Sequence, residues 1–414
     1  MKNIWIINQH ANTPEMPGHT RQYEIAEGLY KKNWNIDIFS SDFNLSKRKF
    51  YFLKNFEFCK SENIRGINWH WLRVFPYKKN NWRRYINIFS FSLHLFFKLL
   101  INISYESLFK KSPQIIVASS PQLPAAFTSL LIAKIFKKPF VLEIRDLWPQ
   151  VLIDQGGRNS SSFFIKVLTF MEKFLYKNAC HIIVLAKGSK KYIQEKGGLE
   201  ISWLPNGPNL KEFRSKFIDK EPEEFTFSEP FRIYYTGAHG EANSLHTIID
   251  AARILEQLPI VFILIGDGPE KNNLIEYSKG LKNVIFKDPV PKNQITYILK
   301  DANAVLITLK NVKLFQYGVS PNKLYDAYAL SKPVITNVPG DINNEVKEHN
   351  LGVTAKPENP KDLADAIKKL FQKSPEERKQ IARNARNIAE KTYSREIIIE
   401  RYNDILKNIL KNGY

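Results

Sequence analysis

Short apolar runs rich in β-branched residues alternate with helix-period segments along this chain, and the alternation stops once and starts again. In the first half the runs are "NIWIINQ", "NIDIFSS", "QIIVASS", "FVLEIRD" and "HIIVLA", with helical patterns such as Gln22–Lys32 and Pro124–Phe136 between them. In the second half they are "FRIYYTG", "IVFILIGDG", "NVIFKDPV", "AVLITL" and "PVITN". Strands that read as near-continuous apolar runs are buried on both faces, and strands separated by helices pair in parallel. The class is therefore α/β, with two doubly wound domains in tandem. The polar, Pro-bearing stretch "EISWLPNGPNLKEFRSKFIDKEPEEFTFSEP" lacks periodicity and marks the junction. A length of 414 residues exceeds one core and suits two. The expected domains are 1–207 and 208–394, with a terminal helix over about 395–414 packing back on the first.

In open parallel sheets, ligands bind at the carboxyl ends of the strands. The motifs that occur, and those that do not, are best weighed against that rule. No GxxxxGK[ST] is present, and "GDGPEK" lacks the third glycine of a dinucleotide fingerprint. There is no HExxH, no paired CxxC, no GxSxG and no Asp-x-Asp, so a dedicated metal site has no sequence support. The two cysteines, Cys59 and Cys180, fit a reducing compartment, and the first residues read as a strand rather than a signal peptide.

Residues with chemical potential gather at the strand ends. After the first strand, "EMPGHTRQYEIA" offers Gly18 for close backbone approach, Thr20 as a cap and Arg21 in a first helical turn; a plain strand–turn–helix connection is the alternative. After "FVLEI", Arg145 and Asp146 stand at a strand end beside Trp148, either lining a cleft or forming a surface ion pair. In the second half Gly237 and Gly240 could present N–H groups to a phosphate, and "IGDG" and "DPV" end strands on the same edge.

The stretch "SPNKLYD" joins that edge. Ser320 is expected as N-cap and Pro321 as the first helical residue, yet Lys323 follows in the first turn, where the helix dipole disfavours a cation. A doubly negative group held by the N–H groups and the ammonium together accounts for that placement. Asp326, three residues on, shares the helix face and could accept from sugar hydroxyls. An ordinary i,i+3 surface pair is the alternative.

Charge is uneven. Residues 1–200 carry 30 basic against 14 acidic residues, the remainder 31 against 27, and residues 43–111 alone 14 against 3. Such a field suits a polyanionic neighbour, nucleic acid or an anionic membrane surface. Within it, residues 83–111 are apolar but interrupted by Asn87, His94, Lys98 and Asn102. They read either as a helix buried on one side or as a basic-flanked helix in a membrane interface, not as a spanning one.

"EIRDLWP", "LPNG", "IGDGPE" and "SPNKLYDAYALSKPVI", in this order along the chain, resemble the retaining GT-B glycosyltransferases of family four, over nearly the whole chain. The likeness is strongest to the bacterial surface-polysaccharide subgroup that includes N-acetyl-fucosaminyltransferases of O-antigen synthesis. It implies a GT-B fold, two Rossmann-like domains facing across a cleft, with a nucleotide sugar held mainly by the second and an acceptor by the first. It implies no metal and no side-chain nucleophile: the leaving diphosphate helps deprotonate the acceptor, and the protein's main task is to stabilise that diphosphate.

Carried over by position, Lys323, Asp146 and Arg145 are the expected catalytic residues. Donor contacts are expected from Gly18, Gly237, His239, Gly240, Gly266, Asp267, Val290, Ser320, Asn322 and Asp326, and acceptor contacts from Arg21 and Arg145. Asn206 and Gly207 mark the crossing between domains. Asp326 matches the second acidic residue of the family's E-x7-E motif, while the first acidic position falls on Gly318. The Arg and Lys usual after the first strand of the second domain are replaced by "AHGEANS", so His239 or backbone groups substitute for them and the charge burden shifts onto Lys323.

The expected reaction is transfer of a sugar, of N-acetylated amino type, from a UDP-sugar to a saccharide on polyprenyl diphosphate, in O-antigen or capsule synthesis. The expected place is the cytoplasmic face of the cell membrane, bound peripherally to its anionic surface, with no nucleic-acid partner. Two other readings are a nucleotide-sugar 2-epimerase of the same architecture and a basic nucleic-acid-binding protein. Against the latter, no reader motif interleaves aromatic and basic residues.

Overall fold

A computed structural model describes residues 2–16, 20–44, 48–54, 56–79, 81–108, 112–211 and 230–413. The chain forms two units. Unit 1 comprises Met1–Leu185, Ser189–Leu204 and Ile399–Tyr414; unit 2 comprises Ala186–Gly188 and Pro205–Ile398. Beside the expected divisions after 207 and 394, the chain contributes Ala186–Gly188 to unit 2, passes into it again at Leu204–Pro205 and returns to unit 1 at Ile399, inside its terminal helix.

Unit 1 is built on eight strands: β1 (Lys2–Ile7), β2 (Trp34–Ser41), β3 (Cys59–Ile64), β4 (Ile67–Leu72), β5 (Ile115–Ser119), β6 (Phe140–Ile144), β7 (His181–Val184) and β8 (Ile201–Trp203). Their order is β3-β4-β2-β1-β5-β6-β7-β8, parallel except for the β3–β4 hairpin. Ile4 pairs with Ile36 on one side and Ile115 on the other, so β1 lies at the centre and is apolar along most of its length. The helices are α1 (Arg21–Tyr30), α2 (Trp82–Leu108), α3 (Leu123–Ile135), α4 (Gln150–Asp154), α5 (Phe163–Asn178) and α6 (Ser189–Glu195). The long apolar segment expected from residue 83 is α2. Phe91, Leu95, Leu99 and Ile103, spaced four residues apart, put one stripe of it into the core.

Unit 2 has six parallel strands: β9 (Phe231–Thr236), β10 (Ile260–Ile265), β11 (Val284–Lys287), β12 (Ala304–Ile307), β13 (Val334–Thr336) and β14 (Gly352–Thr354). Their order is β11-β10-β9-β12-β13-β14. Between and after them run α7 (Leu245–Ile254), α8 (Lys271–Tyr277), α9 (Lys292–Ile298), α10 (Lys313–Gln316), α11 (Asn322–Ala329), α12 (Asp341–Glu348), α13 (Pro360–Gln372), α14 (Pro375–Ile388) and α15 (Arg395–Lys411). Helix α14 starts on a capping box, with Ser374 and Glu377 exchanging side-chain-to-backbone bonds. The part of α15 that belongs to unit 1 is tied to it by Trp34 Nε1, which donates to Asn403 Oδ1 at 3.0 Å, and by the Lys32–Glu400 ion pair.

Both sheets reverse direction of winding once, between β1 and β5 and between β9 and β12. At such a point the connections after neighbouring strands leave on opposite faces and open a crevice at the carboxyl edge. That topology locates a candidate site in each unit.

Candidate active site

In unit 2 the loop after β9 and the start of α11 bring the key groups together. Tyr235, on β9, is fully buried, and its hydroxyl donates to the Ala238 carbonyl at 2.8 Å, bracing the loop. Lys323 Nζ lies 3.9 Å from the centre of the Tyr235 ring. Among the described residues no carboxylate pairs with it. Burial therefore acts uncompensated and pulls the ammonium down to about 7. A Cβ placed on Gly237, whose φ is +145°, would stand 3.0 Å from that nitrogen, so the glycine leaves the ammonium accessible from the loop.

His239 follows two residues later and is completely buried, with neither ring nitrogen hydrogen-bonded among the described residues. Its ring packs edge-on to Phe286, 5.8 Å between centres. Burial first, then the Lys271 and Lys323 cations, hold its pKa below the usual imidazole value. A neutral imidazole carries one donor and one acceptor, and both are unused here. The backbone around it is fixed: its N–H donates to the Asp267 carbonyl at 2.8 Å and its carbonyl accepts from Glu270 N–H at 3.0 Å. Gly266 approaches so closely that a Cβ there would fall 1.8 Å from the Gly237 carbonyl oxygen, which ties the β9 and β10 loops into one wall. Asp267 is exposed and bonds its own neighbour, Gly268 N–H, at 2.8 Å; Gly240 opens the 3-10 turn Glu241–Asn243. Val290 is half-buried in the loop after β11, and Asn322 is exposed.

The start of α11 differs from the expectation. Pro321, not Ser320, is the N-cap, so Asn322 is the first helical residue and no side chain caps the turn. Ser320 Oγ instead accepts from Asn206 N–H at 3.1 Å and lies 2.9 Å from the Tyr325 hydroxyl, while Asn206 Nδ2 donates to the Ser320 carbonyl at 2.9 Å. The serine thus fixes the position of the helix, and the uncapped first-turn N–H groups stay beside Lys323. Asp326 is half-buried one turn on.

Gly318 has φ +91°, and a Cβ there would meet Asp341 Oδ2 at 2.9 Å and the Ala186 side chain at 3.2 Å. Asp341 occupies that space because its carboxylate accepts from Gly188 N–H. Burial raises its pKa, opposed by that bond.

In unit 1, Gly18 lies outside the described residues. Arg21 is buried, its Nε 3.3 Å from Glu143 Oε2 and a terminal nitrogen 3.0 Å from the Leu204 carbonyl. Its charge is neutralised inside the unit, which ties α1 to β6 rather than reaching for an acceptor. Glu143 also accepts from Gln22 Nε2 and Ser119 Oγ. Arg145 is half-buried, with its N–H on Ser120 Oγ at 3.0 Å and its guanidinium 3.4 Å from Gln22 Oε1. Asp146 is exposed at the surface, while desolvation of its carboxylate by the surrounding chain raises its pKa against the pull of Arg145. Around these strand ends Asn8 Nδ2, Gln9 Oε1 and Gln122 Oε1 are buried without hydrogen-bond partners among the described residues. Tyr235, Asp341 and these amides were not singled out from the sequence; only the position of Asn8, Gln9 and Gln122 at strand ends could have signalled them.

Residues 217–388 match the model of the family Glycosyl transferases group 1. The probable glycosyltransferase WbjE of Pseudomonas aeruginosa is 22% identical over 342 residues, covering 77% of this chain and 80% of its own. WcaI of Escherichia coli K12, assigned to colanic acid biosynthesis, is 22% identical over 281 residues, 66% of this chain and 67% of its own. Among solved structures, HepE of Anabaena in complex with UDP superimposes with a TM-score of 0.65 at 15% identity, covering 99% of this chain and 100% of that one. The chain has the GT-B fold, and over residues 217–388 it carries the sequence pattern of the group 1 glycosyl transferases.

Proposed function

We propose that this chain transfers a sugar from a UDP-sugar to a saccharide carried on polyprenyl diphosphate, with retention, during assembly of a bacterial surface polysaccharide. The observation that carries the reading is the Lys323 ammonium. It is half-buried over Tyr235 without a carboxylate among the described residues, next to the uncapped turn of α11 and the unpartnered ring of His239. A group of that kind is stabilised when an anion arrives, and a nucleoside diphosphate brings two negative phosphates to one place. HepE was solved with UDP, and the relatives named above are glycosyltransferases, one of colanic acid biosynthesis; both lend support.

In the reaction, the bond between the sugar's anomeric carbon and the diphosphate oxygen breaks as a bond from the acceptor hydroxyl forms on the same face. The acceptor's proton passes to the leaving diphosphate. Lys323 and a ring N–H of His239 balance the charge that develops there, work that needs no divalent metal. Asp326 takes the ribose hydroxyls. Asp146 and Arg145, with the unsatisfied amide atoms Asn8 Nδ2, Gln9 Oε1 and Gln122 Oε1, orient the acceptor. An N-acetylated amino sugar as the transferred group follows from the polysaccharide-subgroup likeness. The place of action is the cytoplasmic membrane face.

A thermal-shift panel tests the reading. UDP and UDP-N-acetylhexosamines are expected to raise the melting temperature, by the equivalent of about 2.7 kcal/mol at a hundredfold excess over Kd, with GDP, CDP and dTDP forms weaker. No shift with any nucleoside diphosphate or its sugars overturns it.

A further inference from the structure

We infer that the outward face of α2 is a docking surface for an anionic lipid bilayer, on which the helix lies in the plane of the interface. The helix is long and apolar enough to cross a bilayer by composition. It does not do so with one flank committed to the unit 1 core, where Phe91, Leu95, Leu99 and Ile103 are fully buried. The opposite flank is equally apolar. Trp82, Ile86, Phe89, Leu93, Phe97 and Ile101 follow the same three- and four-residue spacing and are 37% to 64% exposed. From Trp82 to Ile101 the stripe runs about 28 Å along the helix. Most soluble surfaces scatter such side chains singly; a contiguous stripe of this length marks an interaction site.

The setting selects the occupant. From Trp82 to Ser104 α2 carries no acidic residue, Glu106 lying in its last turn, and Arg83 stacks on Trp82 at its start, 5.5 Å to the ring centre. An aromatic ring with a cation beside it suits the headgroup level of a bilayer. Helix α5 meets α2 where Tyr85 packs edge-on against Phe164, 4.8 Å between centres. Its exposed face alternates Phe163, Lys166, Phe170 and Lys173, again apolar with basic. Surrounding residues 43–111 hold 14 basic and 3 acidic side chains. Apolar insertion plus a basic rim matches anionic lipid. A second copy of the chain would bring like charges together, and a nucleic acid would leave the aliphatic stripe uncovered.

This deepens the lipid-linked-acceptor reading, on which its purpose rests, but its test uses no sugar nucleotide, so the two fail separately. Full-length protein is floated with vesicles of one part phosphatidylglycerol to two parts phosphatidylcholine, and with phosphatidylcholine alone. Wild type is expected to float with the anionic vesicles. The triple change Phe89→Ser, Leu93→Ser, Phe97→Ser should weaken binding at least about tenfold, from the apolar area withdrawn. The surface pair Lys166→Glu, Lys173→Glu, which leaves the packing of α5 intact, should lose binding to anionic vesicles, and added salt should weaken wild-type binding in the same direction. Wild type that stays at the bottom overturns the inference, as does either variant floating like wild type. A wild-type dimer by light scattering that the triple change dissolves, without vesicle binding, overturns it in favour of self-association.

Discussion

Lys323 Nζ stands 3.9 Å above the ring of Tyr235, and that ring, rather than a carboxylate, is its counterpart. A cation–π contact compensates desolvation in part, so the folded protein without ligand holds an ammonium at an energetic disadvantage. Lys323→Met keeps the stem's packing and removes the charge. Chemical denaturation should show this variant at least as stable as wild type, while the UDP-induced thermal shift and transfer both disappear. A variant that is destabilised yet retains the UDP shift would contradict the assignment.

The same group sets a pH dependence. Lys323 is lowered from its ordinary 10.5 to about 7 in the folded chain, so above about 7 the unfolded state binds more protons than the folded one. Stability of the free protein should therefore rise with pH between about 7 and 10.5, and the buried-charge penalty is fully present below that window. UDP reverses the shift by restoring the ammonium's partner. Binding should take up a proton around pH 8, and affinity should weaken by up to about tenfold per unit above pH 7. Calorimetry in two buffers of different ionisation enthalpy reads the proton directly; equal apparent enthalpies would refute this role for Lys323.

His239 is expected to serve as a neutral donor, since burial and two neighbouring lysines oppose its charging. His239→Ala removes that donor and opens a cavity between Tyr235 and Phe286; His239→Gln keeps a donor. UDP affinity should fall about tenfold in the first, a loss of about 1.4 kcal/mol, and recover in part in the second. Equal losses in both would assign the histidine to packing instead.

How much of this was legible in the sequence depended on burial. Strands such as "IIVAS" and "FVLEI", covered on both faces, read directly as apolar runs, and the two-domain α/β class followed from them. The hairpin "CKSENI"/"INWHWL" was missed because an edge pair with one wet face mixes Lys, Glu and Asn into its pattern, and β14 because three residues carry no period. Lys323 was legible because a cation at a helix start breaks a local rule. Tyr235 was not, since "IYYTG" does not reveal which tyrosine faces the loop. Ser320 satisfied every local rule for an N-cap and was drawn away by the Asn206 backbone, a contact across a long sequence separation.

Arg21 separates a folding role from a binding one. Its pairing with Glu143 inside unit 1 leaves an uncompensated carboxylate if it is removed. Arg21→Ala should destabilise the fold by about 3 kcal/mol, with UDP affinity in the surviving folded protein unchanged. Denaturant unfolding and UDP titration give the two readouts; unchanged stability with weakened transfer would return Arg21 to the acceptor.

Gly318 tests whether this chain has simply lost a carboxylate that resembling enzymes place there or has built around its absence. The backbone at 318 is in the left-handed region, and the Asp341 carboxylate stands 2.9 Å from where any Cβ would project. Gly318→Glu therefore meets a strained φ, a steric conflict and a second negative charge beside Asp341, whose pKa burial already raises. The expected result is destabilisation of about 2–4 kcal/mol and no gain in transfer. The double variant Gly318→Glu, Asp341→Ala removes the clash and the repulsion but keeps the backbone strain, so it should recover about half the lost stability. Denaturation of both variants beside wild type reads the difference. A single variant as stable as wild type and more active would mean that the space is open and that Asp341 does not fill it.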